Sequence, residues 1–223
     1  MNLIALDLDG TLEDSRRDMI ASVHRVRATL FLSEKSDDQV APWVNQGMDL
    51  LYRNCFDDYL KSGNANGRIE IVQRAYELDY LNHVACETRL YPGIASSLES
   101  LFKMGRLVIV TNKPEKISDR LLQELEIDHM ISGLVGGDTI GKIKPDPEML
   151  RAAAKKVGFT PDSGAAFMIG DTPADIKMGR AFGATTIWCS WGYSNSPLEN
   201  PQLIARNPED LPVLVQSELM KAI

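Results

Sequence analysis

Apolar positions along this chain follow two different rhythms. Short apolar runs at Leu3–Leu8, Leu107–Val110, Ala165–Ile169 and Thr185–Cys189 are each followed by small or polar residues. They are too short for helices, most are rich in Val or Ile, and helical patterns separate them, so they predict buried strands. Leu134–Val135 suggests a shorter fifth strand. Strands alternating with helices predict an α/β fold with a parallel sheet covered on both faces. Between residues 15 and 88 the rhythm changes. Met19, Ile20, Val23, Val26 and Leu30, then Met48, Leu51, Tyr52, Cys55, Phe56 and Leu60, then Ile69, Ile71, Val72 and Ala75 recur at helical spacing, with no convincing strand. Ser15 followed by Asp18 reads as an N-cap with an acidic first turn. Ser62–Gly67 reads as a break between helices. The expected organisation is therefore an α/β core from residues 1–14 and 89–223, interrupted by an all-helical insert at 15–88. Tyr91-Pro92-Gly93 marks the return to the core, with helices expected over Ile94–Lys103 and about Glu209–Ala222.

In an open parallel sheet, ligands bind at the carboxyl ends of the strands. Here each end carries a chemically useful group. The first strand runs into Asp7-Leu8-Asp9-Gly10-Thr11. Strand side chains alternate faces, so Asp7 and Asp9 leave on one side while Leu6 and Leu8 pack behind. Two carboxylates held that close repel unless a cation sits between them or one takes a proton. A turn rich in Asp and Gly is the plainer alternative. Thr111 and Asn112 follow the second run, Lys144 precedes Pro145-Asp146-Pro147, and Gly170-Asp171-Thr172-Pro173-Ala174-Asp175 follows the third. Taken singly, Thr111-Asn112 and Asp171 could be helix caps and Lys144 a solvated loop lysine.

The bulk composition narrows the partners. A chain of 223 residues with 44% hydrophobic and 25% charged residues is ordinary for a globular protein. Its net charge of −7 argues against nucleic acid, which needs a basic footprint. No apolar run approaches the ~20 residues of a membrane span, and no leader pattern precedes the first strand. Cys55, Cys86 and Cys189 lack metal-site or disulfide spacing. A reduced, cytoplasmic protein is expected; the sequence leaves its oligomeric state open.

The four strand-end motifs, in this order, resemble those of the haloacid dehalogenase superfamily of phosphotransferases: Asp7-Leu8-Asp9-Gly10-Thr11, then Thr111, then Lys144, then Gly170-Asp171-Thr172-Pro173-Ala174-Asp175. The resemblance spans essentially the whole chain, including a helical cap inserted after the first motif. It implies a Rossmann-like core and an Mg²⁺-dependent phosphatase acting on a small phosphorylated metabolite. By that resemblance Asp7 is the nucleophile that forms an aspartyl-phosphate. Asp9 is the acid that protonates the leaving oxygen and the base that then activates water. Thr111 and Lys144 count as catalytic and, with Asn112, bind the phosphoryl group. Asp7, Asp171 and the backbone carbonyl of Asp9 hold the metal, while Asp175 supports its waters or orients Lys144. Charge counting agrees, because Asp7, Asp9, Asp171 and Asp175 against Lys144 would repel an anionic substrate without a divalent cation.

The carboxylate at position 9 favours phosphate-ester hydrolysis over dehalogenation. Thr111-Asn112-Lys113-Pro114-Glu115, Gly136-Gly137-Asp138-Thr139, Lys144-Pro145-Asp146-Pro147 and Trp191-Gly192-Tyr193 are similar to the phosphoglycolate phosphatase branch, and Trp43–Gly47 resembles it more faintly. A pyrophosphatase, nucleotidase or sugar-phosphate phosphatase on the same core is the enzymatic alternative, with a phosphoglucomutase-like activity behind these. A binding or regulatory protein that keeps the fold without turnover is the alternative from another class. The helical insert is expected to close over the site and select substrate, with Asn45, Gln46 and Gly47 as candidate anion contacts at a helix start. Glu13 and Arg16-Arg17 depart from the branch, which usually shows a hydrophobic residue and a small or Pro-containing stretch there. Glu13 is expected to be solvated and the arginines to lie on an outer helix face. The sharper alternative has Arg16 or Arg17 binding a substrate carboxylate or second phosphate.

Overall fold

The computed structural model describes residues 1–44, 46–62, 65–194, 196–197 and 199–221. Its contacts divide the chain into two compact units, Met1–Asp14 with Leu90–Ile223, and Ser15–Arg89.

The first unit is built on a six-stranded sheet. Its strands are β1 (Asn2–Leu6), β4 (Gly105–Val110), β5 (Ile131–Val135), β6 (Ala166–Gly170), β7 (Thr185–Cys189) and β8 (Leu203–Ala205); β2 (Glu13–Asp14) and β3 (Arg89–Leu90) are the short segments where the chain leaves and re-enters. The sheet order is β5-β4-β1-β6-β7-β8, and each neighbouring pair is parallel. The first strand therefore lies inside the sheet. The chain builds outward on one side through β4 and β5, then returns to build the other side through β6, β7 and β8. That reversal opens a crevice at the carboxyl ends of β4, β1 and β6.

Both sheet faces are covered, as the near-continuous apolar strands require. Leu3, Ala5, Val108, Val110 and Met168 pack in one core cluster with Met149, Leu150 and Ala153 of α8 (Glu148–Lys156) and Met178 of α9 (Pro173–Phe182). The alternate residues Ile4, Leu6, Leu107 and Ile109 are fully buried on the opposite face. There α6 (Ile94–Phe102) packs on β4 and α10 (Asp210–Lys221) packs on α6, while α7 (Glu115–Glu124) leans on β5. Residue 222, the expected end of the closing helix, lies outside the described residues.

The second unit is helical: α1 (Arg16–Thr29), α2 (Asp37–Val44), α3 (Met48–Cys55), α4 (Asp57–Lys61) and α5 (Ala65–Asn82). The break between α4 and α5 falls within Ser62–Gly67; residues 63 and 64 of that span lie outside the described residues. Val23, Val26, Val40, Leu51, Phe56, Val72, Tyr76 and Tyr80 fill the core between the helices. Tyr76 stacks edge-on to Tyr52, with ring centroids 5.6 Å apart. Arg27 is buried and fully engaged, donating to Asp58 Oδ2 at 2.6 Å and to the carbonyls of Ser33 and Cys55. Ser15 stands at the N-cap of α1, but its side chain makes no capping bond. It is buried, and its hydroxyl turns instead toward Met19 Sδ at 3.6 Å. Arg16 and Arg17 are exposed, and Arg17 pairs with Glu87 at 3.3 Å. Asn45 lies outside the described residues. The Gln46 amide donates to the Pro42 carbonyl, and Gly47 caps α3.

Asp18 closes this unit at its base. Its buried carboxylate accepts the backbone N–H groups of Glu87 and Thr88 and the Thr88 hydroxyl, at 2.7–3.0 Å. Asp18→Ala orphans three donors, so urea denaturation should show a loss of about 2–4 kcal/mol. Asp18→Asn, which keeps one acceptor oxygen, should lose less. An unchanged midpoint for the alanine variant would show that the clasp contributes nothing.

Candidate active site

β1 is buried from Leu3 to its end at Leu6, so the next residue leaves the sheet at its centre. Asp7 is 3% exposed, and its N–H donates to the Ile169 carbonyl of β6 at 2.9 Å. The chain then turns tightly: the N–H of Leu12 reaches the Leu8 carbonyl at 2.9 Å, and that of Gly10 reaches the Glu13 carbonyl at 2.9 Å. Gly10 adopts φ +81°, and a Cβ there would stand 2.6 Å from Asp171 Oδ2. Thr11, fully buried, donates through its hydroxyl to Asp171 Oδ1 at 3.1 Å.

β6 delivers Asp171 beside this turn. Tyr193 N–H donates to Asp171 Oδ2 at 2.7 Å, and the Trp188 indole donates to the Asp171 carbonyl at 2.8 Å. The Trp191 indole donates to the Thr11 carbonyl at 3.1 Å. A Cβ on Gly192 would lie 2.2 Å from that of Asp171. Asp171 is thus wedged between two glycines, which explains why Gly10 and Gly192 accompany it. The next residue, Thr172, caps α9 in a capping box with Asp175. Asp175 Oδ2 takes the Thr172 N–H and hydroxyl, which leaves its other oxygen to Lys144.

Lys144 meets both acids. Its Nζ lies 2.5 Å from Asp7 Oδ1 and 2.8 Å from Asp175 Oδ1. Asn112 holds Lys144 in place, because Asn112 Oδ1 accepts the Lys144 N–H at 2.7 Å. Thr111 follows the last residue of β4, the strand next to β1 in the sheet. Its N–H donates to the Val135 carbonyl at 3.0 Å, and its hydroxyl oxygen accepts the Lys113 N–H at 3.2 Å. Asp7, Asp171, Asp175 and Lys144 therefore form one buried cluster.

Asp9 belongs to a second group. Its Oδ1 lies 2.5 Å from Lys113 Nζ, and Lys113 Nζ lies 3.9 Å from Glu13 Oε1. The expectation that Glu13 is solvated is wrong: the residue is 0% exposed. The turn after β1 folds it inward, with its carbonyl held by the Gly10 N–H. Lys113, also buried, went unassigned in the sequence, although the Thr111–Glu115 string contains it.

Burial and neighbouring charge set the electrostatics. Desolvation, then the Asp175 charge, pushes the Asp7 carboxyl well up, against the pull of Lys144. The same two causes push Asp171 up to about 6, opposed by the Tyr193 N–H. Burial, then the Asp9 charge, pushes Glu13 well up. Burial works against the Lys144 ammonium, but the Asp175 and Asp7 charges outweigh it and raise its pKa.

Asp7, Asp171 and Asp175 each offer a carboxylate oxygen within 4.8 Å of the others. Asp7 Oδ1 and Asp175 Oδ1 share the single Lys144 ammonium. An all-oxygen set of three buried carboxylates against one ammonium fits a hard divalent cation. The Asp9 carboxylate, turned to Lys113, is not part of that set.

Residues 4–189 match the haloacid dehalogenase-like hydrolase family. The chain belongs to that family. It is 31% identical over 222 residues to the phosphoglycolate phosphatase of Aquifex aeolicus, covering 99% of this chain and 100% of that one. It is 32% identical over 209 residues to the phosphoglycolate phosphatase of Haemophilus influenzae, covering 91% and 92%. Among solved structures it resembles a predicted phosphoglycolate phosphatase from Haemophilus somnus, with a TM-score of 0.83, 29% identity, and 96% and 97% of the two chains covered. As a haloacid dehalogenase-like hydrolase, the chain carries its buried acidic triad where the family implies a divalent metal. No helix among the described residues is long and apolar enough to cross a membrane.

Proposed function

We propose that the chain is an Mg²⁺-dependent phosphomonoesterase that hydrolyses a small organic phosphate, with phosphoglycolate the leading substrate, through an aspartyl-phosphate on Asp7. The observation that carries this reading is the placement of Asp7, a buried carboxylate at the crevice of the sheet with Lys144 2.5 Å away and Asp171 alongside. Full-length similarity to phosphoglycolate phosphatases supports the substrate.

The residues divide the work as follows. Asp7 attacks phosphorus, and the bond from phosphorus to the ester oxygen breaks. Asp9 gives its proton to that oxygen and later takes one from the water that attacks the aspartyl-phosphate. Thr111, Asn112 and Lys144 hold the phosphoryl oxygens, Lys144 by its charge and Asn112 by fixing the Lys144 backbone. Asp7, Asp171 and the Asp9 backbone carbonyl would hold the metal, with Asp175 in support. When bound, Mg²⁺ neutralises charge between the carboxylates and the phosphoryl group. Positioning and neutralisation are what phosphoryl transfer chiefly needs. We assign the α/β unit to catalysis and the helical unit to substrate choice, and cytoplasmic residence is part of the same reading.

The test is phosphate release by the purified full chain from phosphoglycolate, pyrophosphate, nucleoside monophosphates and sugar phosphates, with Mg²⁺ or with EDTA. The expected result is EDTA-sensitive release with the highest kcat/KM on phosphoglycolate. Preference for another ester overturns the substrate assignment. Release that is insensitive to EDTA, or no release at all, overturns the metal-dependent phosphatase.

A further inference from the structure

We infer that Lys113 and Glu13 act as a positioning pair for Asp9, fixing the orientation in which it hands protons to and from the reacting oxygen; this rests on the phosphatase reading above. The Asp9 carboxylate meets Lys113 Nζ at 2.5 Å. Lys113 is itself held on its backbone, its N–H by the Thr111 hydroxyl oxygen and its carbonyl by the Gly137 N–H at 3.0 Å. Its side chain is 1% exposed, so little room remains for the ammonium to swing. Glu13 is fully buried beside both groups, its carboxyl against that of Asp9 and its Oε1 3.9 Å from Lys113 Nζ. Its backbone is coupled to Asp9 by a bridge and to Gly10 by a hydrogen bond.

The geometry has a consequence for chemistry. A proton-transfer group works only while it keeps its geometry to the reacting atom, and a lone carboxylate past a strand end could rotate about two side-chain bonds. A 2.5 Å contact to a buried ammonium removes that freedom. The ammonium needs its own anchor, because a flexible stem otherwise lets it drift from Asp9. Glu13 supplies it, with a buried carboxyl that packs against both Asp9 and Lys113 Nζ. Neither residue needs to touch the phosphoryl group.

The test exploits leaving groups. An alkyl phosphate needs a proton on its departing oxygen, whereas p-nitrophenyl phosphate departs readily without one. Lys113→Met should lower kcat on phosphoglycolate by about tenfold to a hundredfold, while the single-turnover release of p-nitrophenolate, which needs no protonated leaving oxygen, and both KM values change by less than about threefold. Lys113→Arg should restore part of the loss. Glu13→Gln should fall in the same direction, and the Glu13→Gln/Lys113→Met double variant should fall no further than Lys113→Met alone. Equal losses in phosphoglycolate turnover and in single-turnover p-nitrophenolate release, or none in either, overturn the inference. Should Lys113→Met fail to fold, Lys113→Arg and Glu13→Gln decide by the same split. If the wild-type enzyme releases phosphate from neither ester, the phosphatase reading is what has failed. A crystal structure of the Lys113→Met or Glu13→Gln variant then decides the positioning separately: a displaced or multiply oriented Asp9 carboxylate supports it, and an unmoved single conformer overturns it.

Discussion

Asp7→Asn should abolish phosphate release, lowering kcat by about four orders of magnitude or more, as removal of a covalent nucleophile does. The replacement is nearly isosteric, so the loss will not come from lost packing. The expected stability change points the other way. Asp7 sits with Asp171 and Asp175 in a site where burial, and then the charge of Asp175, already raises its pKa. Removing its charge takes like-charge repulsion out of the metal-free cluster and relieves a buried carboxylate. Thermal unfolding in EDTA should therefore show an equal or higher Tm for Asp7→Asn than for wild type. A loss of activity accompanied by a lower Tm would instead make Asp7 a structural residue and undo its assignment as nucleophile. The partner experiment is Asp9→Asn, which should slow the first, leaving-group step far more for an alkyl phosphate than for an aryl ester with a good leaving group.

Most of this site was legible because parallel strands advertise themselves. β1, β4, β6 and β7 are buried on both faces, so they read as short continuous apolar runs, and the residues that follow them read as strand ends. The boundaries moved where chemistry begins. Asp7-Leu8 continues the alternation of the first run, yet β1 ends at Leu6 because the chain must turn there to present the carboxylates. β5 was visible only as Leu134–Val135, since Ser132 and Gly133 interrupt an apolar pattern that pairing with β4 completes. β8 left no signal: it is three residues long at a sheet edge, and Ile204 is half exposed.

The misses have separate physical causes. Glu13 looked like a solvated acid because local pattern carries no information about Lys113, which lies 100 positions away in sequence and beside it in the fold. The same long-range pairing hid the role of Lys113. Tyr193 contributes a backbone N–H, which no side-chain motif can announce. Ser15 had the right residue type at the right position for a cap, but burial turned its hydroxyl elsewhere.

Lys144→Met should be the most damaging substitution for stability. The ammonium pairs with Asp7 Oδ1 and Asp175 Oδ1, and Asp171 adds a third carboxylate to the same buried space. Removing one partner of a buried ion pair costs about 3–5 kcal/mol, because the remaining charge is left uncompensated. The loss should depend on pH in a definite sense. Asp171 is pushed up to about 6 from an ordinary 3.8, and Asp7 is raised as well. Between about pH 4 and 6 the folded protein thus holds protons that the unfolded chain has released, so stability falls as pH rises through that window. Lys144 has a raised pKa and stays charged throughout, so in wild type it offsets the carboxylates as they ionise. Without it, the metal-free variant should be near its best around pH 5 and at its worst around pH 8. Mg²⁺ should recover part of the deficit at pH 8 by supplying positive charge to the same three acids, and little of it at pH 5, where protons compete for them. Chemical denaturation at the two pH values, with Mg²⁺ or with EDTA, measures all four terms. A loss independent of both pH and metal would mean that Lys144 serves packing rather than charge, and the electrostatic account of this cluster would fall with it.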